Sequence, residues 1–278
     1  NLVRRAFPGL PVVIGGIEAS LRRASHYDFW TDSLRRSVLL DSKADILVYG
    51  MGETALQAVA EAAEAALLQG EERGVPVRAA FAEHIRHIPG AAYALSAKES
   101  ETLANSPFPA SFSKDALRLP SHEEMEADPF LLVTATMAME KQVHQGKVPA
   151  VQPSGDRVVV MNPPSPPLGT ADMDALYGLP YSRLPHPSYT QPIPAWEMIR
   201  TSITSHRGCG GGCAFCSLAL HQTRHVASRG KAYIMEGAHR IAATSVRGKV
   251  PAWAGYISDI GGPSAHMLRG GCAGEPEN

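Results

Sequence analysis

The chain is poor in aromatic residues, which make up 6% of its 278 positions, and it carries no excess of charge of either sign. Lys and Arg number 26 against 27 Asp and Glu, for a formal net charge of −1. A near-neutral surface exerts no global pull on polyanions, so nucleic acid is not indicated as a partner. Also missing is any run approaching the ~20 consecutive apolar residues of a spanning helix, so no membrane partner is expected. Cysteine is scarce, with 4 in the chain, and no apolar core follows Asn1-Leu2-Val3-Arg4-Arg5 as it would in a signal peptide. Three of the cysteines cluster within Cys209 to Cys216 of a long chain without a signal-peptide pattern, which favours a metal or cofactor over the disulfide framework of a small secreted domain. A reducing, cytoplasmic setting is expected instead. The start without Met, and the abrupt end after Gly270-Gly271-Cys272, read as cuts inside a longer chain.

What is present is ordinary for a globular protein: 44% hydrophobic and 19% charged residues. The length allows one large or two ordinary domains. Pro11-Val12-Val13-Ile14-Gly15-Gly16 reads as a short buried parallel strand ended by glycines. Glu18 to Arg36 is polar and mixed, and Ala44 to Gly50 reads as a second strand. An Ala-rich helix is predicted over Thr54 to Gln69, stopped by Gly70. Val75 to Phe81 is a third candidate strand, followed by a turn at Ile88-Pro89-Gly90. Ser121 followed by Glu123 and Glu124 has the pattern of a helix cap, with a further helix from after Pro129 to about His144. Arg157 to Met161 is a short strand. Strand, glycine turn and helix in alternation imply an open α/β N-terminal domain. It lacks a G-x-G-x-x-G or D-x-H-x-x-G fingerprint, so neither nucleotide nor cobalamin is expected there.

Prolines then accumulate from Pro163 to Pro194, a density that favours an extended connector. The domain boundary is placed near Gln191, giving residues 1–190 and 191–278. Beyond it, Ile199 to Thr204 reads as a strand, Ser217 to His225 and Lys231 to Ala243 as helices, and Ala254 to Ile260 as a second strand. This is one βαβ unit, the repeating element of a β/α barrel.

Between those strands lies Cys209-Gly210-Gly211-Gly212-Cys213-Ala214-Phe215-Cys216, a C-x3-C-x2-C spacing. Thiolates hold iron–sulfur clusters. Three on one loop can bind three irons of a cubane and leave the fourth open as a Lewis-acid site. The glycines allow positive φ and close backbone approach around such a cluster. The plainer alternative is a non-catalytic metal-binding module, either a structural zinc site or an electron-transfer cluster. Zinc wants four ligands, usually in C-x2-C pairs, so Cys213 and Cys216 would need His206 or Cys272 to complete the set. Cys272 is read as incidental, since a fourth thiolate would close the open iron. His206 and Arg207 either tune the cluster or solvate the strand end. His221, Gln222, Arg224, His225 and Arg229 form either a basic face beside the site or a solvated helix face.

The C-x3-C-x2-C loop with an aromatic residue before its last cysteine resembles the signature of the radical S-adenosylmethionine (SAM) superfamily. Asn162-Pro163-Pro164, Pro185-His186-Pro187, Ser205-His206-Arg207-Gly208-Cys209 and Ser258-Asp259-Ile260-Gly261-Gly262-Pro263 resemble its YgiQ-like family. That resemblance implies a [4Fe–4S] cluster on Cys209, Cys213 and Cys216, with SAM chelating the open iron. One electron from an external donor would cleave SAM to methionine and a 5′-deoxyadenosyl radical. Phe215 would sit near the adenine end of SAM, and Gly261-Gly262-Pro263 would bind its methionine amino group. The resemblance further implies that residues 191–278 begin a partial radical SAM (β/α) barrel. No residue selects a substrate class, and Gly210 stands where the family more often has a bulkier residue.

Overall fold

The computed structural model describes residues 2–104, 116–243, 253, 255–262 and 267–268. The chain divides into two compact units, Asn1–Pro166 and Pro167–Asn278. The division falls at the head of the proline-rich stretch, whereas the sequence places it near Gln191.

The first unit runs α1 (Leu2–Ala6), β1 (Val13–Ile14), α2 (Ile17–Leu21), β2 (His26–Asp28), β3 (Ser33–Arg35), α3 (Val38–Ser42), β4 (Ile46–Val48) and α4 (Glu53–Arg73). It continues with α5 (Val77–His84), β5 (Ala91–Ser96), α6 (Ala97–Ala104), β6 (Leu117–Arg118), α7 (His122–Ala127), α8 (Leu131–Gln145), β7 (Ala150–Ser154) and β8 (Arg157–Met161). Its centre is a 6-stranded sheet in the order β1-β4-β5-β8-β7-β6. The outer pairs β1–β4 and β6–β7 are parallel, and β4–β5, β5–β8 and β7–β8 are antiparallel. The fold is α/β, with a mixed sheet. Side chains alternate across it: Ile46, Val48, Tyr93, Leu95 and Val160 join Val59, Ala66 and Phe81 of α4 and α5 in one core. Leu47, Ala92, Val159 and Met161 are fully buried on the opposite face.

Several expectations are corrected here. The strand expected to be buried at Pro11 to Gly16 is an edge strand of two residues, and Val13 is 39% exposed. Val75 to Phe81 is not a strand. Pro76 caps a helix whose Arg78, Ala79, Ala80 and Ala82 are good helix formers, with Ala80 and Phe81 buried. The long helix α4 runs through Gly70 and stops at Gly74, which takes the left-handed conformation (φ 67°). Gly70 answers to packing instead, because a Cβ there would lie 3.2 Å from both the Val75 carbonyl and Val77 Cγ2. The cap at Ser121 is a full capping box: Glu124 N–H donates to Ser121 Oγ at 3.1 Å, and Ser121 N–H donates to Glu124 Oε2 at 2.7 Å. That backbone hydrogen bond from Ser121 holds the Glu124 carboxyl below its usual range.

The Asn162-Pro163-Pro164 motif has a structural role. Buried Asn162 donates from Nδ2 to the carbonyls of Ile88 (2.9 Å) and Arg86 (3.2 Å). Pro163 O accepts from Gly90 N–H at 2.7 Å, so the motif clamps the turn before β5. Asn162→Ala leaves buried carbonyls without these donors and is expected to destabilise the unit by about 1–3 kcal/mol. Chemical denaturation checks this, and an unchanged midpoint would contradict it.

The second unit contains α9 (Thr170–Gly178), α10 (Pro194–Ile199), β9 (Ile203–Thr204), β10 (His206–Arg207), α11 (Leu218–Gln222), β11 (Ala227–Ser228), α12 (Lys231–Ala242) and β12 (Ile260–Gly261). The strand expected over Ile199 to Thr204 is shorter, because Pro194 starts a helix that takes the chain as far as Ile199. The second strand is likewise confined to Ile260 and Gly261, and Gly255 to Asp259 lead to it without strand structure. The βαβ unit itself is present. β12 pairs parallel with β9 in the register Ile260↔Ile203 and Gly261↔Thr204. The crossover helix α12 covers the pair, Ile234 and Ile241 packing on Ile203 with Trp253 and Ile257 beside them.

Among the described residues, no helix is long and apolar enough to cross a membrane.

Candidate functional site

The parallel pair β9–β12 delivers two loops to the same end of the strands, the place where open α/β folds build ligand sites. From β9 the chain passes through Ser205, whose N–H donates to Gly261 O at 2.7 Å, and then through β10 into the cysteine loop. β10 is held by β11, with His206 opposite Ser228 and Arg207 opposite Ala227.

Gly208 opens the loop and has to be glycine. Its φ is 87°, and a Cβ would fall on the carbonyl oxygen of His225. Its N–H donates to Gln222 Oε1 at 3.1 Å, and Cys209 N–H donates to Thr223 O at 3.2 Å. Residues of and just after α11 therefore fix the root of the loop. The far end is a tight turn in which Cys216 N–H donates to Cys213 O at 3.1 Å. Cys209 is half-buried, Cys213 and Cys216 are exposed, and all are free thiols. Phe215 is 92% exposed.

The missing side chain of Gly211 leaves a space between two of the sulfurs. A Cβ there would lie 3.4 Å from Cys209 Sγ and 3.8 Å from Cys213 Sγ. Among the described residues, no three His, Cys, Asp or Glu side chains gather as they would around one metal ion. The zinc set that joins Cys213 and Cys216 to His206 is thus not assembled, and Cys272 lies outside the described residues. A cubane asks for a different geometry, since each thiolate meets its own iron and the sulfurs need not converge on a point. The donor chemistry of the loop and the cradle at Gly211 fit that group.

The second loop leaves β12 at Gly261-Gly262. A Cβ on Gly262 would lie 2.6 Å from both Cδ2 and Cε1 of His206. His206 is fully buried, and its Nδ1 is 3.0 Å from Ser205 Oγ. Its ring is therefore the surface on which Gly262 rests. Pro263 lies outside the described residues. A cavity of about 300 Å³ opens here, with Gly261, Gly262, Arg207, Gln222, Asp259 and Tyr177 on its walls.

Tyr177 is a site residue that the sequence reading passes over. It lies on α9, inside the stretch read as an extended connector. Arg207 Nε donates to its hydroxyl at 3.0 Å, and the guanidinium carbons of Arg207 and Arg229 stand 5.2 and 4.7 Å from its ring centroid. Arg229 does not belong to a solvated helix face. It is 6% exposed, its Nε is 3.5 Å from buried Asp174 of α9, and its Nη1 donates to Thr204 O at 3.0 Å. The signal available in the sequence was the run Met173-Asp174 with Tyr177, which places apolar and charged residues on one helical face between prolines.

Comparison with known proteins follows the same lines. The family model described as Radical SAM N-terminal matches residues 1–202. A UPF0313 protein of Rhodopseudomonas palustris is 43% identical over 274 residues, covering 97% of this chain and 39% of that protein. Another from Shewanella oneidensis is 40% identical over 309 residues, covering 98% and 39%. A third, from Methanosarcina acetivorans, is 37% identical over 287 residues, covering 98% and 36%. The chain thus spans about two fifths of the length of these relatives. No solved structure matches it. With the family match extending from Asn1 to Ser202, the chain belongs to the radical SAM N-terminal family and to the YgiQ-like, UPF0313 group of the radical SAM superfamily.

Proposed function

We propose that this chain carries the cluster site of a radical SAM enzyme, with Cys209, Cys213 and Cys216 as the ligands of a [4Fe–4S] cubane whose open iron binds SAM. In this reading, residues 191–278 begin the radical SAM core and 1–190 form the α/β domain before it. The observation that carries the reading is the placement of two loops on neighbouring parallel strands. Arg207 and Gln222, which stand on either side of the cysteine loop in the chain, share the lining of one cavity with the Gly261-Gly262 turn after β12.

Held by Cys209, Cys213 and Cys216 and reduced, a cubane would supply the electron that cleaves SAM to methionine and a 5′-deoxyadenosyl radical. The chain's own residues position and shield. Gly208 and Gln222 fix where the loop begins, and Gly211 gives the sulfurs of Cys209 and Cys213 an unobstructed flank. Gly261 and Gly262, with Pro263 as the family resemblance implies, would receive the methionine amino group, and Phe215, exposed on the cysteine loop, would serve the adenine end. Arg207, oriented by Tyr177, places a fixed positive charge on the cavity wall. Free thiols and an oxygen-sensitive cluster suit a reducing cytoplasm, where an external donor provides the electron. The substrate lies beyond these residues.

Anaerobic reconstitution with iron and sulfide, reduction, and incubation with SAM test the reading. Methionine and 5′-deoxyadenosine are expected to accumulate only when reductant is present. A chain that takes up the cubane yet leaves SAM intact would contradict it.

A further inference from the structure

A second cavity in the Pro167–Asn278 unit, of about 220 Å³, lies on the α12 side of β9 and shares Tyr177 and Ile203 with the first. Its walls carry the guanidinium groups of Arg183, Arg200, Arg229 and Arg240 and the indoles of Trp196 and Trp253, with no Asp or Glu among the lining residues.

These arginines differ in how they are compensated. Arg200 pairs with Glu197 at 3.1 Å, Arg240 with Glu236 at 2.8 Å, and Arg229 with Asp174 at 3.5 Å. Arg183 has no carboxylate partner among the described residues. Its Nη1 donates to the carbonyls of Ser202 (3.1 Å) and Arg200 (3.4 Å). The residue is also held in a left-handed backbone conformation, φ 56°, which is unfavourable for a side chain of this kind. Trp196 Nε1 donates to its carbonyl at 2.9 Å and helps to fix it there. Burial, followed by the charges of Arg229 and Arg240, pulls the Arg183 guanidinium below its usual value. Four guanidinium groups thus border a space that no Asp or Glu lines, and their three carboxylate partners leave the charge of Arg183 unmatched among the described residues.

We infer that the cavity bounded by Arg183, Arg200, Arg240, Trp196 and Trp253 is a binding site for a phosphate-bearing small molecule. Guanidinium forks match phosphate oxygens in bidentate fashion, and several forks around one space favour the more highly charged phosphoryl group over a carboxylate. The volume is far above the ~30 Å³ share of one water and below the ~300 Å³ at which drug-sized pockets begin. It suits a phosphoryl group carrying a small organic part, which the indole rings can cover. This site does not depend on the cluster.

Equilibrium dialysis of the 278-residue chain against radiolabelled inorganic phosphate tests the inference, with ionic strength held constant by chloride. Saturable binding is expected, displaced by glucose 6-phosphate and not by glucose. Arg183→Gln is expected to weaken it several-fold. Arg240→Gln, at an exposed helix position, is expected to do the same with wild-type circular dichroism, and it carries the test should the Arg183 variant misfold. Absence of saturable binding, or binding untouched in Arg240→Gln, would overturn the inference. Equal displacement by succinate would overturn the phosphoryl assignment.

Discussion

Replacing any one of Cys209, Cys213 or Cys216 by Ala is expected to reduce reconstituted iron from about four per chain to near none. The loop offers three thiolates and no spare. A cubane held by two thiolates has two irons open to solvent and chelators, and the described residues bring no set of His, Cys, Asp or Glu to replace the missing donor. Cys272→Ala, in contrast, is expected to leave iron content unchanged, because the fourth iron has to stay open for SAM. Iron and sulfide analysis of the four variants decides the matter. Loss of iron in the Cys272 variant would overturn the three-ligand assignment.

The second large effect is expected at Gly262. Gly262→Ala drives a methyl group into the imidazole of His206, to 2.6 Å from Cδ2 and Cε1. The ring has nowhere to go, being fully buried and close to Ser205 Oγ. Overpacking of this kind costs about 1–3 kcal/mol, so the turn after β12 shifts instead. Since Gly262 also forms part of the cavity wall, SAM affinity is expected to fall about tenfold, at about 1.4 kcal/mol per decade, while the cysteines keep their iron. The cause can be isolated by making room. His206→Ser in the Gly262→Ala background is expected to recover much of the lost affinity, although His206→Ser alone opens a void. Wild-type SAM affinity in Gly262→Ala would remove the glycine turn from the site.

The sequence makes the chemistry of the site more legible than the scaffold around it. The cysteine spacing, the glycine turn at Gly261-Gly262 and the βαβ connection between them are local or near-local patterns, and the structure shows the connection as a parallel pair. The capping box at Ser121 and the helix after Pro129 are local too. What was not legible depends on distant partners. β5 is rich in alanine, a weak strand former, and becomes a central strand because β4 and β8 bracket it. β7 contains Pro153, which argues against a strand. It is tolerated because β6 pairs with β7 at Ala150 and Val151 and goes no further, so the missing N–H faces no neighbouring strand there. The helix α9 hides among prolines, and its Asp174 and Tyr177 acquire meaning from Arg229 and Arg207, residues 30 or more positions away. Glycine is ambiguous in sequence for the same reason: Gly70 looks like a helix stop and serves a close contact with Val75 and Val77.

The central claim is that three cysteines hold a cubane with one iron left for SAM. Electron paramagnetic resonance of the anaerobically reconstituted, reduced chain, recorded with and without SAM, tests it most directly. The account predicts a reduced-cubane signal whose g values move when SAM is added, in wild type and in Cys272→Ala alike. A cubane signal that ignores SAM would contradict the open iron, and a protein that takes up zinc and no cluster would contradict the ligand assignment itself.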